Sequence, residues 1–151
     1  MNFAEAARKG LNANERAIVA RREMDAVLQE ASKQLTQALG GELTLQFADS
    51  AAGTLLHAIA NKITGNERSL PLTGLTGVLE VVGKPSRSRH LAEVSLGEMG
   101  YPVTLRWGDE RGYATNRAEF EVALSQLLES RVTGERIDWV LTGSGSEPSA
   151  V

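Results

Sequence analysis

Side chains able to carry chemistry are sparse in this chain, and the densest group of them is the run Lys84-Pro85-Ser86-Arg87-Ser88-Arg89-His90. It brings three fixed positive charges and a titratable imidazole into seven residues, a set that could hold a phosphate or another anion. Lys84, Arg87, Arg89 and His90 are therefore the candidate anion-binding residues. A solvated hairpin loop that keeps the end of a sheet soluble accounts for the same composition.

Other chemistries fail on spacing. Gly77 to Lys84 has the outline of a phosphate-cradling loop, but five residues stand between its glycines and Pro85 follows the lysine where Ser or Thr is needed. His57 and His90 are the only two histidines; Glu93 lies three residues from His90, so on a strand the two would point to opposite faces and could not share a metal. Ser86 or Ser88 with His90 and Asp109 lacks the tight turn that exposes a nucleophile. The carboxylates Asp109, Glu110, Glu119, Glu121 and Glu129 sit where helices and turns ordinarily carry them. No catalytic residue, metal ligand or cofactor is assigned. The aromatic residues Tyr101, Trp107 and Tyr113, joined by Trp139, gather in the second half of the chain, and the first three are the candidate partner-binding residues.

These groups belong to 151 residues, enough for one domain with a single core. Apolar residues make up 42 % and charged residues 23 %, the balance of a folded globular chain. Sixteen basic against nineteen acidic residues leave a formal charge of −3, which argues against a dedicated nucleic-acid binder. There is no cysteine, so disulfides, thiolate metal sites and thiol nucleophiles are excluded. Apolar runs are far shorter than a bilayer span, and the opening residues lack the basic-then-apolar order of a secretory signal; a cytoplasmic setting without membrane contact is expected.

The elements that would position these residues follow from periodicity. Asn12 and Glu15 have capping-box spacing, and Ala17, Ala20, Met24, Leu28, Ala31 and Leu35 recur at three- and four-residue steps, predicting a helix over 12–39 stopped by Gly40-Gly41. Residues 1–11 are then a flexible N-terminus. Leu43, Leu45 and Phe47 alternate as a strand. Residues 50–63 fit a helix, although Leu55, His57 and Ile59 also alternate as on a strand; 66–77 read as an irregular connection. Strands are predicted over 78–82, 91–96 and 101–107, with a short fourth at 113–115 and Pro102 at a strand start or edge. Asn116 and Glu119 open a helix ending near Arg131, and a short element at 137–141 packs on the sheet. The fold class is α+β: a long N-terminal helix and a mostly antiparallel meander covered by a C-terminal helix. It forms one domain over 12–142 with a disordered tail at 143–151.

The stretch Gly100-Tyr-Pro-Val-Thr-Leu-Arg-Trp, followed by Asn116-Arg-Ala-Glu-Phe-Glu-Val-Ala-Leu, resembles small uncharacterised accessory proteins encoded by tailed phages and prophages. The resemblance covers the final third of the chain and implies a non-enzymatic, regulatory protein that acts by binding a host or phage protein. The alanine-rich stripe of the first helix could serve either the domain core or a homodimer seam. The competing expectation is an enzyme or binding module that takes a phosphorylated ligand, or nucleic acid, on residues 84–90.

Overall fold

The computed structural model describes residues 1–49, 76–84 and 86–143. Helix α1 runs Phe3–Leu39 and leads into strand β1, Leu43–Asp49. Strands β2 (Thr76–Gly83), β3 (Arg87–Gly97), β4 (Gly100–Trp107) and β5 (Glu110–Ala114) follow, and then helices α2 (Arg117–Leu128) and α3 (Arg131–Thr142). The five strands form one antiparallel sheet in the order β1-β2-β3-β4-β5, the expected α+β meander.

Directly paired residues share a sheet face. Leu45 pairs with Val81, Leu79 with Ala92, Val94 with Leu105, and Leu96 with Val103, so one face is apolar and buried. Helices α1, α2 and α3 all pack on that face, where Met24, Leu79, Val81, Leu105, Phe120 and Leu127 form the centre of the core. The register slips between Leu79 and Glu80, which lets Leu91 and Ala92 both be buried on one strand.

Two hydroxyls fix α1 to the sheet. Ser32 Oγ accepts from the Leu45 backbone N–H at 2.8 Å while donating to Leu28 O at 2.6 Å. Thr36 Oγ1 accepts from Leu43 N and donates to Leu43 O, both at 3.1 Å. One helical turn rises about 5.4 Å and two strand residues about 6.7 Å, so hydroxyls four apart on a helix meet backbone groups two apart on a strand. These are the groups of β1 that point away from β2, and the helix occupies the position of a sixth strand.

The structure revises several boundaries. Helix α1 begins at Phe3, not Asn12: Asn2 is the cap, its side chain accepting from Glu5 N–H at 3.1 Å. The same three-residue spacing therefore occurs twice, and the Ala-rich stretch between, with Glu5, Arg8, Lys9 and Leu11, has strong enough helix propensity to put the first cap in use. The predicted helix stop holds, with Gly40 left-handed at φ 72° and its N–H on Thr36 O. Strand β2 starts at Thr76 and β5 at Glu110. Pro102 lies near the start of β4, ahead of Val103 where pairing with β5 begins.

The helix predicted from Asn116 ends earlier, at Leu128, and the short element at 137–141 is the end of a full helix capped by Ser130, whose Oγ accepts from Thr133 N–H. At the cap of α2, Glu119 takes the N–H and hydroxyl of Thr115 rather than the N–H of Asn116. The helix-or-strand question over 50–63, the connection before Thr76, and the tail after Gly143 fall outside the described residues.

Ser32→Ala keeps the volume of the site nearly constant but strands a buried Leu45 N–H; the loss is expected at about 1–3 kcal/mol, read from the urea midpoint. Hydrogen bonds from Thr115 hold the Glu119 carboxyl below its ordinary 4.5. The folded state thus favours the ionised form, and its stabilisation is complete above the unfolded value and lost as pH falls through the lowered one. Glu119→Gln is expected to flatten the acid limb of Tm against pH.

Candidate functional site

The basic run is not a loop. Only Lys84 and Ser86 among its described residues lie in the turn, and β3 begins at Arg87. Strand alternation then divides the cluster. Arg87 pairs with Gly83 and Arg89 with Val81, on the helix-covered face, whereas His90 pairs with Glu80 on the opposite face.

Each of these residues already has a structural partner. Lys84 Nζ pairs with Glu42 Oε2 at 2.8 Å, which raises the lysine pKa. Arg87 Nη1 reaches the carbonyls of Val140 and Leu141, both at 3.4 Å, in the last turn of α3. A cation there satisfies carbonyls that no further helical turn will reach and offsets the negative end of the helix dipole. The Arg89 guanidinium carbon stacks 3.3 Å from the centre of a Trp139 ring. His90 contributes its carbonyl, which accepts from Arg136 Nη1 at 2.6 Å, while the residue itself is exposed. The β2–β3 hairpin thus seats α3 on the sheet, and the four candidate residues do not converge on one point.

The three aromatic candidates are separated too. Tyr101 and Trp107 share the helix-covered face of β4 but stand at its two ends, Trp107 beside the core. Tyr113 pairs with Thr104 on the other face and is exposed. Tyr101 borders a cavity.

That cavity is a groove of about 620 Å³ between α1 and the β3–β4 turn, lined by Asn12, Glu15, Arg16, Val19, Ala20, Glu23, Met99 and Tyr101. Gly100, at φ 90°, makes the close approach possible: a Cβ there would sit 2.5 Å from Ala20 Cβ. Tyr101 Oη donates to Glu23 Oε2 at 3.0 Å, which fixes the ring against α1. Burial first, and then the Glu23 carboxylate, push the Tyr101 hydroxyl well above its ordinary value, so it remains a donor rather than a base. Val19 is 53 % and Met99 44 % exposed, two large apolar side chains bordering the groove. Periodicity could not have revealed it, because Val19 and Met99 come from separate elements and Met99 from a turn.

Among the described residues no group of three His, Asp or Glu side chains could hold a metal ion, and no helix is long and apolar enough to cross a membrane. Compared with known proteins, the chain matches no family model, no curated protein and no solved structure.

Because Arg87 bonds the end of α3, Arg87→Met is expected to lower stability by about 1 kcal/mol through loss of the charge at the helix terminus. Urea unfolding measures it, and a matching drop in the helical signal at low denaturant marks fraying of α3.

Proposed function

We propose that this chain is a non-enzymatic protein-binding module of the cytoplasm, and that the groove between α1 and the β3–β4 turn receives a segment of its partner. The observation that carries the reading is the pair Val19 and Met99, exposed and apolar beside Tyr101, whose ring is held by Glu23. Methionine beside an aromatic ring suits an adaptable apolar contact. The acidic side chains of Glu15 and Glu23 and the basic Arg16 along the same groove supply a polar rim that would orient an amphipathic segment. The likeness of the C-terminal third to phage-encoded accessory proteins is the reason to look for that partner among host or phage proteins. A regulatory role follows if the occupied segment is one the partner needs for its own work.

The test is affinity capture with the full chain beside Met99→Asp. The substitution lies on an exposed turn and leaves the core intact. A protein enriched by the parent chain and lost with Met99→Asp supports the groove; equal recovery by both overturns it.

A further inference from the structure

Residues 1–12 are all exposed although Phe3 onward is helical, so the N-terminal part of α1 extends beyond the body of the domain. At about 1.5 Å per residue the stretch from Phe3 to Leu11 projects roughly 12 Å. Its side chains are sorted by face. At 100° per residue, Glu5, Arg8, Lys9, Glu15 and Arg16 fall on one half of the circumference. The other half is uncharged and includes Phe3, Ala7, Gly10, Leu11, Asn14 and Ile18. Of these, Phe3 is 75 %, Leu11 64 % and Ile18 41 % exposed. Val19, which lines the groove, lies about 100° round the helix from Ile18, so this face adjoins the groove along the Glu15 edge but is centred on another side of the helix.

We infer that this face pairs with the same face of a second copy, in antiparallel orientation, to form a two-helix seam. Ala4, Ala7, Leu11, Asn14 and Ile18 alternate at three and four residues, the repeat of such a seam, and Arg8 and Glu15 flank it on one edge. Charge decides the direction. Crossing the copies near Leu11 places each Arg8 beside the other copy's Glu15 and each Phe3 beside the other copy's Ile18. A parallel arrangement would set the Arg8 and Glu15 edge against the other copy's Phe3 and Gly10 and would make no such pair. The antiparallel crossing also puts the two domain bodies at opposite ends of the seam.

Gly10 supports the same assignment. A glycine weakens an exposed helix, and a Cβ at this position would meet nothing within 4 Å, so no contact among the described residues calls for it. On the uncharged face it lets a second backbone come close. Asn14, a polar residue in the apolar repeat, favours one register over others.

The chain has no cysteine, so single cysteines report the geometry without background. Sedimentation equilibrium from low to high micromolar is expected to show the mass rising from 16.2 kDa towards twice that value. Leu11→Glu with Ile18→Glu should hold it at the monomer, with circular dichroism confirming an unchanged fold. Arg8→Glu should weaken association roughly tenfold by turning two attractive pairs into repulsive ones, and adding Glu15→Arg should restore it. Mixed Phe3→Cys and Ile18→Cys chains should oxidise to the heterodimer. A monomer at every concentration overturns the proposal, as does a Phe3→Cys homodimer forming in preference to the mixed one. Met99→Asp should associate like the parent; if it alone abolishes the dimer, the seam lies at the groove and not on this face.

Discussion

The clasp between Ser32 and Thr36 of α1 and the backbone of Leu43 and Leu45 is the constraint on which the rest of the architecture depends. Strand β1 lies at the edge of the sheet, and its outward N–H and C=O groups would otherwise offer a template for another strand. Side-chain hydroxyls occupy them instead. A hydrogen bond is directional where apolar packing is not, so the two contacts fix the axial position of α1 while Met24, Val27 and Leu28 supply the burial. Gly40 and Gly41 allow the reversal that brings strand beside helix, and Leu141 packs so near Gly41 that a side chain there would collide with it.

Fixing the C-terminal half of a single continuous helix fixes its other end as well. With the cap at Asn2 and no proline within α1, the register set at Ser32 is transmitted along the helix to Leu11 and Phe3. Nucleation is already paid for by the packed half, so the projecting turns only have to propagate. Tyr101, bonded to Glu23, and Gly100, against Ala20, add a second support at the point where α1 leaves the body. The groove lies at that support and the uncharged face lies beyond it, so both surfaces inherit their orientation from the same clasp.

Much of this fold was legible in the residues, and the failures have physical causes. The alternation of Leu43, Leu45 and Phe47, the Gly40 stop and the Asn116 cap all appear as read, because each is a local signal that tertiary packing does not oppose. Helix α3 was hidden because Val132, Thr133, Gly134, Ile137 and Val140 are poor helix formers on propensity alone; packing of Thr133, Ile137 and Val140 into the core overrides them. Cap spacing alone does not locate the start of α1, because two equivalent caps compete and only the intervening sequence distinguishes them.

The basic run shows a different limit. A run of arginines predicts a loop because charge ordinarily faces water, yet here Arg87 and Arg89 point to the covered side of β3. Their partners are the carbonyl end of α3 and the ring of Trp139, about fifty residues away along the chain, and a local window contains neither. The outward charge of α1 is the reverse case, since sequence spacing alone sorts its charged and uncharged faces. What spacing does not give is exposure. The alanine-rich stripe that begins at Ala17 fills the domain core, and before it the uncharged residues on a neighbouring face of the same helix remain open to solvent. That change of role falls where Gly100 meets Ala20, and it is set by where the sheet ends, not by any change in the helix itself.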